Sequence, residues 1–139
     1  MKQPDKYVCV DFDGTCVTHE YPLIGMDVGA VPVLKKLVAA GVKLILFTMR
    51  SGQTLDDAVK WFLDNDIELF GVNTNPTQSV WTESPKAYGE LYIDDAALGA
   101  PLNVKVTKND DGTIKEVSRP FIAWDEVEEY LIENGYINE

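Results

Sequence analysis

The sequence predicts a single α/β domain over residues 1–139, with three α/β/α layers around a mainly parallel sheet. Three observations lead there. Short apolar runs alternate with amphipathic stretches, the connections between them are short, and polar residues collect where the apolar runs stop. A chain of this length buries about two-thirds of its unfolded surface, enough for one core, whereas two separate domains would each be marginal.

The first strand is Tyr7-Val8-Cys9-Val10, an apolar run that halts at Asp11 as a buried parallel strand would. Residues 31–40 read as a helix: Pro32 suits its first turn, Val31, Leu34, Leu37 and Val38 share a face, and Gly41 supplies the stop. Val42 to Thr48 forms a second strand around Leu44-Ile45-Leu46-Phe47. A second helix spans about 54–65, with Thr54 as N-cap and Leu55, Ala58, Val59, Phe62 and Leu63 at helical spacing. Ile67 to Val72 is a third strand, and Ser84-Pro85 opens a short helix that carries Lys86. Leu91-Tyr92-Ile93 is a fourth strand ending at Asp94-Asp95. Near the C-terminus, Val104–Thr107 and Thr113–Val117 flank Asn109-Asp110-Asp111-Gly112, a β-hairpin signal. Trp124, Val127 and Leu131 stripe a last helix that Gly135 ends, and the acids Asp125 and Glu126 suit its N-terminal dipole. Trp61, Trp81 and Trp124 read as packing anchors.

Composition narrows the function. With 12 basic against 23 acidic residues the net charge is −11, which disfavours a nucleic-acid backbone or an anionic membrane surface as partner. A small anionic substrate remains compatible, because a metal ion and a few cationic side chains can reverse the field locally. Cys9 and Cys16 are too few for a disulfide framework, and His19, the one histidine, is too little for a zinc site. Neither a leader-like opening nor an apolar run of membrane-spanning length is present, so the expected location is cytoplasmic.

In a parallel sheet, ligands bind beyond the carboxyl ends of the strands. Asp11 and Asp13 follow the first strand, Thr48 the second and Asp94-Asp95 the fourth, with Lys86 between. These residue types suit phosphoryl transfer. A carboxylate at Asp11 can attack phosphorus, and Asp13 can protonate the leaving oxygen and later activate water. Gly14 allows the reversal that aims both at one point. The acids would repel each other and the phosphate unless a hard cation sat among them; Mg²⁺ fits, held by Asp11, a backbone carbonyl near Asp13, and one of Asp94 or Asp95. Thr48 offers a hydroxyl and Lys86 an ammonium to the non-bridging oxygens, and Lys86 can also pair with Asp11. Arg50 is a candidate substrate contact. His19 reads as a surface residue or an acid, and Asn73 and Asn75 as turn residues or part of the mouth.

The run Val10-Asp11-Phe12-Asp13-Gly14-Thr15 resembles the first motif of the haloacid-dehalogenase-like (HAD) superfamily. Leu44-Ile45-Leu46-Phe47-Thr48 resembles its second motif, Lys86 its third, and Tyr92-Ile93-Asp94-Asp95 its fourth, in the same order over residues 7–95. Asp-x-Asp-Gly-Thr arises by chance at about one in 10⁵ positions; the single residues Thr48 and Lys86 gain weight only from that order. The resemblance implies a Rossmann-like fold and a Mg²⁺-dependent phosphatase with Asp11 as nucleophile and Asp13 as acid/base. Thr48 and Lys86 would be its phosphate ligands, and Asp94 and Asp95 would lie at the metal, the second in closer contact. Neither gap between motifs is long enough for a cap domain. The capless group, whose small bacterial members resemble Thr48-Met49-Arg50, has open sites. That implies a phosphorylated small molecule or an exposed phosphate on a larger one, and a homo-oligomer in which a partner subunit covers the site. The segment His19-Glu20-Tyr21-Pro22 with Ile24-Gly25 would form a flap beside it.

Three rival readings are weaker. A receiver-like phosphate-accepting module would place its paired acids first and its acceptor aspartate mid-sheet, the reverse of the order here. A polynucleotide or nucleotide end-phosphatase suits an open site with Arg50 but not the charge of −11. A binding module without activity would not need every acid in place.

Overall fold

The computed structural model of the chain describes residues 4–139. β1 (Tyr7–Val10) runs through the middle of a four-stranded sheet, which is why Val8, Cys9 and Val10 are buried. β2 (Lys43–Leu46) and β3 (Gly71–Val72) lie on one side of it and β4 (Leu91–Ile93) on the other, in the order β3-β2-β1-β4, all parallel. β3 is much shorter than the expected strand, because only Gly71 and Val72 reach register with Ile45 and Leu46.

Side chains alternate across the pleat. Val8, Val10, Leu44, Leu46 and Ile93 join one apolar cluster, while Cys9 and Ile45, with Tyr7, Phe47 and Tyr92 against them, join another. The larger cluster faces the helices. α1 (Ala30–Ala39) buries Val33, Leu34 and Leu37, and its first N–H groups donate to the Asp27 carboxylate. α2 (Gly52–Asp64) buries Ala58 and Phe62; Ser51 rather than Thr54 precedes its first turn, and Thr54 donates its hydroxyl to the Ser51 carbonyl. α3 (Trp124–Glu133) packs beside α1 through Trp124, Val127 and Leu131.

Connections from β1 to β2 to β3 step in one direction, so right-handed crossovers put α1 and α2 on the same face. The step to β4 reverses, and the crossover over residues 73–90 covers the opposite face. It holds one 3-10 turn, Gln78–Val80, and the short helix expected at Ser84-Pro85 does not form. Buried Gln78 takes over the hydrogen bonds instead. Its amide N–H donates to the Ser84 and Lys86 carbonyls at 3.1 and 3.0 Å, and its carbonyl oxygen accepts the Tyr88 N–H at 2.8 Å. The α/β domain therefore has three α-helices on one face and an irregular cover, sealed by Ala87, on the other. Trp81, expected as an anchor, lies on that cover exposed, edge-on to Tyr88.

Past β4, β5 (Leu102–Asn103) pairs antiparallel with β8 (Phe121–Ile122). Between them β6 (Val106–Lys108) and β7 (Ile114–Val117) form the expected hairpin, closed at Gly112 with φ +88°. The β8 end is tied inward: the Ile122 N–H donates to the Gly14 carbonyl at 3.0 Å. No helix among the described residues is long and apolar enough to cross a membrane.

Candidate active site

Asp11 follows β1 directly, and its N–H is still held by the Ile93 carbonyl of β4 at 2.9 Å. Here the strand order reverses, so the chain leaves β1 and β4 on diverging paths and opens a crevice between them. Phe12 packs into the helix layer, its ring 5.5 Å from Trp61 and 6.0 Å from Phe62. Its neighbours Asp11 and Asp13 line a cleft of about 410 Å³ with His19, Tyr21, Thr48, Met49, Arg50, Asp94, Asp95, Ala96 and Arg119. Gly14 turns the chain away at φ +79°, where any Cβ would collide with the His19 imidazole and the Asp95 carboxylate.

Asp11, Asp94 and Asp95 each bring one carboxylate oxygen within 4.8 Å of the others. Thr15, fully buried, stands among them. Its hydroxyl is 3.0 Å from Asp11 Oδ2 and 3.2 Å from Asp95 Oδ1, and it accepts the Asp95 N–H at 3.1 Å. One hydroxyl proton serves only one carboxylate at a time. Burial pushes the Asp11 carboxyl up to about 8; hydrogen bonding to Asp95 and the charge of Asp94 act in the same sense, against the Phe12 N–H and the Thr15 hydroxyl. Among the described residues no Lys or Arg nitrogen comes within 4.0 Å of this cluster. Its donors are all hard oxygens, which suits a divalent cation of the Mg²⁺ or Ca²⁺ kind better than a thiophilic metal. The buried Cys16 thiol, pushed well up by burial and then by nearby acids, donates to the Asp11 carbonyl at 3.3 Å and is no thiolate ligand.

Asp13 stands apart from these three. Its carboxylate is gripped by the Arg50 guanidinium, Nε to Oδ2 and Nη2 to Oδ1, both at 2.8 Å. The remaining Arg50 donors go to the carbonyls of Leu23, Thr54 and Pro22 at 2.7, 3.1 and 3.4 Å. Its plane lies between the rings of Phe12 and Tyr21, 5.0 and 5.2 Å away. With all five N–H groups committed and 3% of its surface exposed, Arg50 has nothing left for a phosphate. It fastens the flap to Asp13 and α2. The hydrogen bonds to Asp13 are the first cause that raises the Arg50 guanidinium above its ordinary value.

Thr48 lines the cleft; its N–H donates to Asn73 Oδ1 at 2.8 Å and its hydroxyl accepts the Arg50 N–H at 3.2 Å. Asn73 thus positions a site residue. Asn75 instead lies buried beneath the cover, donating to the Tyr88 carbonyl. Lys86 does not reach Asp11: its Nζ stands 5.1 Å over the Tyr92 ring, with no carboxylate within 4.0 Å among the described residues. No helix forms at Ser84-Pro85, and Lys86 is exposed.

Three further residues carry the site. Thr15 ends the run Val10-Asp11-Phe12-Asp13-Gly14-Thr15, and its place there, four residues after Asp11, was the signal that could have found it. His19 Nε2 lies 3.2 Å from Asp95 Oδ2 and 3.1 Å from the Pro120 carbonyl, so the flap histidine abuts the acidic cluster. Arg119 enters from the C-terminal segment, and no pattern in the sequence points to it.

No known protein-family profile matches the chain, and no curated protein does. A solved structure does match: a conserved protein from Bacteroides thetaiotaomicron, 30% identical, with a TM-score of 0.70. The match covers 94% of this chain and 93% of that one, so the C-terminal hairpin and β8 fall largely within the shared fold. The chain belongs to the family of that conserved protein.

Proposed function

We propose that the chain is a Mg²⁺-dependent phosphohydrolase of the HAD-like kind, acting through an aspartyl-phosphate on Asp11. The observation that carries this is the meeting of Asp11, Asp94 and Asp95 at the reversal of strand order, with the Asp11 carboxyl pushed up to about 8 by burial and by its two acidic neighbours. In this reading the sheet is a HAD-like, Rossmann-like core whose second helical layer is reduced to the irregular cover. Asp11, Asp94 and Asp95 would hold the cation, which neutralises their charge and that of the substrate phosphate. Asp11 attacks phosphorus; the bond to the leaving oxygen breaks and that oxygen takes a proton from Asp13. Water then gives a proton to Asp13 and attacks the aspartyl-phosphate, releasing inorganic phosphate and restoring Asp11. Asp13 must leave part of the Arg50 clamp to hold that proton, and its 20% side-chain exposure leaves it a face to the cleft. Thr48 offers its hydroxyl proton to a non-bridging oxygen, since Arg50 uses only its lone pair.

The substrate is a phosphorylated small molecule or an exposed phosphate on a larger one. Tyr21, Leu23, Met26 and Met49 stand exposed on the flap and at the cleft, which supports a homo-oligomer in which a second subunit covers the site. The test is phosphate release from an aryl phosphate. Activity should require Mg²⁺, and Asp11→Asn should abolish it; most of the activity surviving in that variant removes the covalent role of Asp11.

A further inference from the structure

The cleft that holds four acids needs positive charge to receive an anion, and its expected cationic donors are committed elsewhere. Arg50 has spent its five N–H groups, and Lys86 stands over Tyr92. Arg119 is different. It lines the acidic cleft, is exposed, and has neither a side-chain hydrogen bond nor a carboxylate within 4.0 Å among the described residues.

Arg119 also lines a second cleft, of about 320 Å³, between the flap and the hairpin. Lys105, Thr107 and Ser118 line it as well, and His19, like Arg119, is common to both clefts, so the two adjoin. Lys105 is likewise exposed and without a carboxylate within 4.0 Å. Glu20 and Glu116 sit on the same walls but stay beyond that distance from both cations. The base of the hairpin is held in place. The Lys105 N–H donates to Ser118 Oγ at 2.8 Å, the Ser118 N–H to the Lys105 carbonyl at 2.9 Å, and the Ser118 hydroxyl to the Arg119 carbonyl at 3.0 Å. Three residues on, Ile122 is tied to Gly14 of the acidic site. In a chain of net charge −11, the stretch 105–119 carries Lys105, Lys108, Lys115 and Arg119 against Asp110, Asp111 and Glu116.

We infer that this second cleft is a subsite for a second anionic group of the substrate, a phosphate or a carboxylate, held between Arg119 and Lys105. The substrates are then phosphate esters that carry such a group on the leaving-group side. The inference rests on the phosphohydrolase reading and gives the hairpin a task.

The test compares 6-phosphonooxyhexanoate with its methyl ester, which differ by one remote charge. In the wild type at low salt, kcat/KM should favour the free acid by about fivefold, the factor that one or two exposed charge contacts supply. The preference should fall as ionic strength rises. Arg119→Ala and Lys105→Ala should each reduce it, and the double variant should remove it. Lys115→Ala, which takes one charge from a residue that does not line the cleft, should keep it. Hydrolysis of both substrates with no preference, or with one that survives the double variant, overturns the subsite and leaves the phosphohydrolase reading intact. If the wild type hydrolyses neither substrate nor an aryl phosphate with Mg²⁺, that reading is what fails, and binding then judges the subsite. Tighter binding of butane-1,4-diphosphonate than of butylphosphonate to the Mg²⁺-loaded wild type, lost in the double variant, supports it; equal affinities refute it.

Discussion

Between about pH 4 and 8 Asp11 holds a proton in the folded, cation-free chain that the unfolded chain has already released. Its carboxyl is raised from 3.8 to about 8, so the stability it contributes is complete below the lower value and is lost as pH climbs through the upper one. With a chelator present, the thermal midpoint should therefore fall from pH 5 to pH 8. Asp11→Asn cannot ionise, so it should flatten that fall and melt several degrees higher than the wild type at pH 8. A lower midpoint for the variant at pH 8 contradicts the account of the cluster. The roles of single residues were unevenly legible. The spacing of Asp11, Asp13 and the Asp94-Asp95 pair put all four in one cleft, because apolar strands of a parallel sheet end on a common edge. Arg50 and Lys86 have partners in the structure that the sequence did not signal, because a motif records order and not which partners a long side chain finds. Arg50 found five acceptors within hydrogen-bond reach.

At the scale of elements, the crossover over residues 73–90 departs most from the pattern in the sequence. Capping signals at Ser84-Pro85 suggest a helix, yet a buried glutamine at the start of the 3-10 turn satisfies the backbone instead. Local preference lost to a tertiary contact that periodicity cannot register. Gln78→Leu should leave the Tyr88 N–H and the Ser84 and Lys86 carbonyls without partners, at a cost of about 2–4 kcal/mol in urea unfolding. Amide exchange at Tyr88 should speed up in step. Unchanged stability would mean that the cover holds without this side chain. By contrast β1, α1, β4 and the hairpin lie where their apolar patterns and turn residues put them, each signalled by its own local sequence. β5 and β8 were not foreseen, since two-residue strands leave no periodic trace.

For the whole molecule, the strand order sets what the site can be. Reversal between β1 and β4 creates an open crevice, and no inserted domain closes it. Exposed Tyr21, Leu23, Met26 and Met49 lie on that side, and this apolar surface is what supports the proposed cover by a second copy. Sedimentation velocity should show a dimer or larger assembly that Leu23→Glu with Met49→Glu dissociates; a monomer at every concentration, with full activity on small phosphates, argues against the cover. The central claim is that Asp11 becomes phosphorylated during turnover. Quenching the Mg²⁺-loaded enzyme during steady hydrolysis of an aryl phosphate, then reducing with borohydride, converts an aspartyl-phosphate to homoserine. Peptide mass spectrometry should find homoserine at position 11 and at no other aspartate. Phosphate release at full rate with position 11 unmodified, or with the label on another acid, contradicts it.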